Sequence, residues 1–159
     1  PVHYPYPVIR MAEMYLNLAE ILIELDALEN TTGRLEEAKG LIDKIRVRAG
    51  IPTIDEAWKK ANHPEKANTA EGLREIVRRE RQIEFYLENQ RFWDLRRWKD
   101  AGILGEKVWG MNIEGDTDET FFVPTELQNI RTFKQAQYLM PIPMTETNKV
   151  PHIVQNPGY

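Results

Sequence analysis

The stretch TAEGLREIVRRERQIEFYLE, residues 69–88, sets two carboxylates among the apolar positions of one helix. At about 100° per residue, Leu73, Ile76, Val77, Ile83 and Leu87 fall within roughly 120° of arc, and Glu80 and Glu84 lie inside it. That is the geometry of a core-facing side. An unpaired carboxylate buried there costs several kcal/mol, so each must find a cation or keep its proton. Arg74, Arg78, Arg79, Arg81, Arg91, Arg96 and Arg97 crowd the same region. The expectation is therefore a structural ion-pair lattice that joins Glu80 and Glu84 with Arg81, Arg91 and Arg97.

The chain has 159 residues, 42% of them hydrophobic and 29% charged, enough for one core of ordinary size. A single domain over 1–159 is expected, helical over 10–101 and irregular over 102–159. A net charge of -4 argues against an electrostatic grip on a phosphate backbone, so nucleic acid is not expected as a partner. With no cysteine there is no disulfide, thiolate metal site or cysteine nucleophile. No stretch reaches the roughly 20 apolar residues of a membrane span. The start at Pro1, without an initiator methionine, reads as an excised or processed piece, so any anchor is expected upstream.

From Arg10 to Leu28 the polar residues Glu13, Asn17, Glu20 and Glu24 make one thin seam on an otherwise apolar helix. Met11, Met14, Tyr15, Leu18, Leu22 and Leu25 form one apolar face and Ala12, Leu16, Ala19 and Ile23 another, which predicts packing layers on two sides. The turn formers Asn30 to Gly33 lead to a second helix with Leu35, Ala38, Leu41, Ile42, Ile45 and Ala49 at helical spacing, completing a hairpin. Gly50 and Pro52 stop that helix. Thr53 with Glu56 forms a capping box, and Thr69 caps the helix carrying Glu80 and Glu84. A further helix is expected from Arg91 to Ala101, ended by Gly102. Beyond it, short β-prone runs stand at Phe121 to Val123 and Tyr138 to Met140, and Asn156 to Tyr159 is placed for a type II turn.

Read as chemistry, Glu80 and Glu84 are an i, i+4 pair about 6 Å apart at Cβ, near the spacing of retaining glycosidase carboxylates. Those carboxylates usually flank a substrate from different elements, so structural pairing is the preferred reading. His3, His63 and His152 stand in separate segments, no glycine-rich phosphate loop or nucleophile elbow is present, and neither metal nor cofactor is expected. Aromatic side chains remain for recognition. Trp93 and Trp98, in an arginine-dense helix, are expected as core or cation–π residues. Trp58, on a short capped helix, and Trp109, beside Gly110, are the ligand-binding candidates.

Four blocks in order resemble the SusD/RagB family of outer-membrane nutrient-binding lipoproteins, in its C-terminal part. They are Arg10, Ala12, Glu13, Leu16, Ala19 and Glu20; Ile45, Arg46, Arg48, Ala49 and Gly50; the run IVRRERQIEFYLENQRFWDLRRW from Ile76 to Trp98; and Tyr138, Leu139, Pro141, Ile142, Pro143 and Glu146 followed by QNPGY. The resemblance implies a mainly α fold, with helical hairpins of a tetratricopeptide-like scaffold, an irregular C-terminal half and short β segments. It implies a cell-surface protein of the outer membrane, held by a lipid anchor upstream of this chain. Such a protein binds a glycan or peptide nutrient without catalysis and hands it to a SusC-like TonB-dependent transporter. No binding residue is carried over, because the family's ligand-contacting aromatics lie mainly outside the matched blocks. The alternative is an interaction scaffold that docks a transporter without touching ligand.

Overall fold

A run free of Gly and Pro forms helix α1 (Met11–Glu29), and the apolar-spaced run after the turn forms α2 (Leu35–Arg48). The structure is a computed structural model that describes residues 9–127, 131–150 and 152–159. The chain divides into two units, Pro1–Arg91 and Phe92–Tyr159. In the first, α3 (Ile54–Lys60), a 3₁₀ turn over Pro64–Asn68 and α4 (Ala70–Glu84) follow the α1–α2 hairpin. α1 packs on both α2 and α4. The fold is mainly α, as the hairpin spacing predicts.

The local stop and start signals act as read. Gly50 takes φ 72° after α2, with its N–H donating to the Val47 carbonyl and that of Ile51 to Arg46, which is the Schellman pattern. Thr53 and Glu56 form the reciprocal capping box, and the Thr69 hydroxyl accepts from Gly72 N–H. The α1–α2 turn has an organiser that composition did not reveal. Asp26, fully buried, accepts from the Thr31 hydroxyl at 2.6 Å and from the backbone and side chain of Arg34 at 2.7 and 2.9 Å. Burial pushes its carboxyl up, and these hydrogen bonds outweigh that and hold it below the usual carboxylate range.

The core of this unit joins Leu16, Ala19 and Ile23 of α1, Ile42 and Ile45 of α2, Ile54 of α3 and Leu73, Ile76 and Val77 of α4. Each such aliphatic side chain contributes about 1.5–3 kcal/mol on leaving water. Two members of the expected stripe are elsewhere: Ile83 is 59% and Leu87 87% exposed. α4 ends at Glu84, and Leu87 adopts φ 66° in the turn beyond it, so the helical register does not extend that far. Phe85, the residue at the helix end, turns inward instead. The apolar face of α1 that carries Met11, Met14, Leu18 and Leu25 is exposed, so within the described residues the layer expected on that side is missing.

α5 (Gln90–Arg97) runs across the division into the second unit. It is shorter than expected, because Lys99 at φ 62° breaks it before Gly102, with Asp100 N–H donating to the Leu95 carbonyl. The β segments are also displaced from the expected runs. The antiparallel pair is β1 (Trp109–Met111) with β2 (Pro124–Glu126), in the register Trp109↔Glu126. Phe121 and Phe122 precede β2 at a bulge, where Asn112 faces both Phe122 and Val123 and Phe122 takes φ 58°. Tyr138 ends a 3₁₀ turn, its hydroxyl donating to the Lys99 carbonyl and accepting from Ala101 N–H, and these bonds place it outside any strand. A last helix, α6, covers Met144–Lys149. The terminal QNPGY forms the expected turn, with Gly158 at φ 93°, and clamps the preceding segment. Gln155 bonds both N–H and C=O of Ile142, while Asn156 and Tyr159 donate to the carbonyls of Met140 and Leu139.

A Cβ on Gly72 would lie 2.2 Å from the Lys66 carbonyl oxygen, so α4 and the 3₁₀ turn meet at bare backbone. Gly72→Ala is expected to destabilise the fold by about 1–3 kcal/mol, read as a lower urea midpoint, despite alanine's better helix propensity. Gly40→Ala, with open space around its Cβ, is expected not to destabilise it.

Candidate functional site

Glu80 is 7% exposed on the inner side of α4 and is paired with the Arg46 guanidinium of α2, which also donates to the Pro52 carbonyl. Glu84, one turn on, accepts from Arg10 at 2.8 Å and from Arg48 at 2.6 Å. Burial pushes the Glu84 carboxyl up, but hydrogen bonds and charge from Arg10 and Arg48 hold it below the usual range. Arg10 also donates to the Glu84 backbone carbonyl at 3.0 Å, satisfying the end of α4, and to both Glu88 oxygens. The cations that meet Glu80 and Glu84 therefore come from Arg46, Arg48 and Arg10, not from the arginines of their own stretch. The reason is directional, since a side chain on the inner face of α4 meets whatever the neighbouring helix presents.

The arginines of α4 turn to α1 instead. Arg81, buried, donates to Asn17 at 2.6 Å and lies 3.8 Å from Glu20, and Arg74 grips Glu24 with two bonds of 2.6 and 2.7 Å. The polar seam of α1 is thus the surface that receives α4. Arg91 is half-buried on α5. Arg97, in the second unit, pairs with Asp94 at 2.9 Å.

Two concavities that share Arg79 make a groove along α4, lined in part by its inner-facing Ile76 and Glu80. One concavity of about 280 Å³ is lined by Arg46, Ala57, Trp58, Ala61, Ile76, Arg79 and Glu80. A second, of about 320 Å³, is lined by Arg79, Gln82, Ile83 and Tyr86, so Arg79 is common to both. Trp58 packs partly on the core, with the Lys66 ammonium 5.3 Å from its ring centroid. Tyr86 stands well exposed on the turn after α4. Phe85, with the guanidinium groups of Arg10 and Arg81 5.4 and 5.3 Å from its ring centroid, anchors that turn. The groove offers two aromatic faces, guanidinium and amide donors and a carboxylate acceptor, a donor and acceptor set for a polyhydroxylated ligand. Trp58, a candidate by residue type, lines the first concavity, while Arg79, Gln82 and Tyr86 were not among the sequence candidates. Extending the helix to residue 88 hid Tyr86, and the left-handed-prone Asn89 was the available stop signal.

Trp109 is 61% exposed on β1 in the second unit, opposite Glu126, which Lys107 bonds at 2.7 Å. Trp93, expected in the core or against a cation, is exposed and meets Phe92 edge-on at 5.0 Å. The Arg97 guanidinium lies 4.8 Å from the Trp98 ring centroid. As a glycosidase pair the glutamates are poorly arranged. Only Glu80 lines the groove, and Glu84 is held ionised where a general acid needs a raised pKa. Among the described residues no cluster of His, Asp and Glu is grouped as metal ligands would be, and no helix is long and apolar enough to cross a membrane.

The family model described as SusD family matches residues 2–159. A SusD-like protein from Bacteroides fragilis NCTC 9343 is 35% identical, with a TM-score of 0.74 over 99% of this chain and 28% of its own. The protein BT4246 is 32% identical, with a TM-score of 0.78 over 99% of this chain and 25% of its own. A SusD-like carbohydrate binding protein from the same Bacteroides fragilis strain is 33% identical, with a TM-score of 0.62 over 89% of this chain and 27% of its own. This chain thus spans about a quarter of the length of these proteins. No curated protein matches it.

Glu80→Ala is expected to cost about 3 kcal/mol in chemical denaturation, because the largely buried Arg46 loses its carboxylate partner; Glu84→Ala costs less, because Arg10 keeps Glu88 and Arg48 is exposed, and Glu37→Ala on the exposed face of α2 changes little. The lowered Glu84 pKa also fixes a pH dependence. Its contribution is present above the unfolded carboxylate value of about 4.3 and is lost as pH falls through the lower folded value. The stability gap between wild type and Glu84→Gln is therefore expected to narrow on acidification below about pH 4.3, measured by urea titration at stepped pH.

Proposed function

This chain belongs to the SusD family, and on that premise we propose that it is the C-terminal domain of a longer cell-surface glycan-binding protein. That protein works in a SusC/SusD-type TonB-dependent uptake system, and its ligand is an oligosaccharide. The outer membrane is its location, through a lipid anchor outside these residues, and a SusC-like transporter is its partner. The observation that carries the reading is the groove along α4, where Trp58 and Tyr86 flank Arg79 and Gln82. It is supported by a relative described as a carbohydrate binding protein.

The chemistry is binding without bond breaking. A pyranose ring lays its C–H face on the Trp58 or Tyr86 ring, and its hydroxyls take hydrogen bonds from Arg79 and Gln82 and donate to Glu80. Glu80 is already held by Arg46, so it enters as a fixed, oriented acceptor. Trp109, on the exposed face of β1, is a second platform, in the other unit.

A second reading, an interaction scaffold that docks a transporter without contacting ligand, is favoured by the exposed apolar hairpin of the second unit. Trp109 and Met111 are exposed on β1 there, with exposed Ile113 just beyond it and Phe121 and Phe122 at the bulge.

Glycan arrays followed by calorimetry on the full-length protein are expected to find an oligosaccharide ligand. Trp58→Ala and Tyr86→Ala are each expected to weaken it about tenfold, or 1.4 kcal/mol, with unchanged helical circular dichroism. Tyr86 is the cleaner variant because its ring is solvent-exposed. No binding to any oligosaccharide would overturn the reading, and unchanged affinity in both variants would remove the groove from it. Co-purification of a transporter that persists when Trp58 and Trp109 are replaced, with no sugar bound, would establish the scaffold reading instead.

A further inference from the structure

Arg79 lines both concavities along α4, and the carboxylates within its reach on that helix are already engaged. Glu75 stands four residues before it, in the order that favours an i, i+4 ion pair. That carboxylate pairs with Lys66 instead, at 2.7 Å. Glu80, the next residue in sequence, pairs with Arg46. The other helix-face neighbours of Arg79 are Ile76, Gln82 and Ile83, which carry no charge. Its guanidinium donates to the Gln82 amide oxygen at 3.3 Å, long for an N–H···O bond. Among the described residues it meets no carboxylate, whereas Arg10, Arg34, Arg46, Arg48, Arg74 and Arg97 each end on one.

The charge of the groove therefore comes down to this side chain. In the first concavity Glu80 and Arg46 cancel and Arg79 is left over; in the second, Arg79 is the charged member of the lining. The groove is locally positive on a chain whose formal net charge is -4. Salt screens exposed charges over about 10 Å at 0.1 M, so this positive spot acts on a ligand seated in the groove and not at long range. A guanidinium on a convex surface is satisfied by water and selects nothing. At the junction of two concavities, with Trp58 in one and Tyr86 in the other, it meets whatever a bound sugar places there. A carboxylate or sulfate there takes two parallel charge-assisted bonds, each roughly twice as strong as a bond to a neutral hydroxyl.

We infer that the groove selects an acidic saccharide, whose carboxylate or sulfate oxyanion seats on Arg79 while neighbouring rings stack on Trp58 and Tyr86. The inference rests on the oligosaccharide reading of this groove and adds the class of sugar. An acidic substituent then fills the position at Arg79 that a hydroxyl takes in a neutral ligand. Glu80 keeps its role as acceptor for a ring hydroxyl, because its charge is already matched by Arg46.

The test screens the full-length protein on an array of neutral, uronate-bearing and sulfated oligosaccharides. Calorimetry follows with the tightest ligand and its neutralised form, the methyl ester of a uronate or the desulfated sugar. The tightest ligand is expected to be acidic, and neutralising it to weaken binding at least about tenfold. A loss on esterification assigns a carboxylate, and a loss on desulfation a sulfate. Arg79→Gln is expected to weaken the acidic ligand by a similar factor, to leave the neutralised one unchanged and to remove the dependence on added sodium chloride seen in wild type. Arg79 is exposed and holds no ion pair among the described residues, so this variant is expected to keep its helical circular dichroism. A neutral tightest ligand, an acidic one whose affinity Arg79→Gln leaves unchanged, or an equal loss for both forms would overturn the inference and leave oligosaccharide binding standing. No binding to any oligosaccharide would overturn both.

Discussion

Two carboxylates on the inner face of one helix constrain almost everything else in the first unit. Glu80 and Glu84 leave bulk water only because Arg46, Arg48 and Arg10 arrive from elsewhere in the chain. Each is therefore a three-dimensional requirement as well as a local feature. Desolvating such ions offsets most of the attraction they gain, so the free energy of folding comes mainly from the aliphatic core. The ion pairs act on specificity. A one-residue slip of α4 against α2, or of the chain entry at Arg10, would strand a charge, whereas a purely aliphatic interface would tolerate it. The α1–α4 contact is specified the same way, with Glu24 and Asn17 presented to Arg74 and Arg81.

The same lattice shapes the candidate site. Arg10 binds the last carbonyl of α4 and the Glu88 carboxylate, and Phe85 contacts two guanidinium groups, so the turn after α4 is pinned at both ends. Between these anchors Leu87 takes left-handed backbone, as does Asn89 just beyond them, and the chain displays Tyr86 outward beside Gln82 and Ile83. At the other end of the groove Glu80 serves as wall and ion-pair partner together. Scaffold and binding surface are thus not separate sets of residues. A ligand that meets Glu80 meets a group already oriented by its salt bridge, which lowers the ordering cost of binding.

Local chemistry was legible wherever an interaction spans only a few residues. The Thr53 and Glu56 box, the Thr69 cap, the Gly50 stop and the final Pro157, Gly158 turn each involve partners within about five positions, and each forms as read. Reading failed where long-range partners decide. The strands lie at Trp109–Met111 and Pro124–Glu126 instead of the more β-prone runs, because pairing and the bulge at Phe122 set them. Trp93 faces water although its arginine-rich helix suggested shelter. The groove was half visible: Trp58 stood out by residue type, while Arg79, Gln82 and Tyr86 became a lining only once α3 and α4 were placed.

The amino-acid order alone settles the helical class, the hairpin, the caps and the demand that Glu80 and Glu84 be neutralised, since periodicity and burial cost are properties of the chain itself. It cannot say which arginines answer that demand, because seven stand nearby in sequence and those that serve are 34 to 74 residues away. Tertiary structure made that choice, and with it fixed the helix end at Glu84, the exposure of Tyr86 and the open stripe of α1. The physical reason is reach. A charged side chain pairs with what packing brings within about 3 Å, and packing is decided by the whole chain.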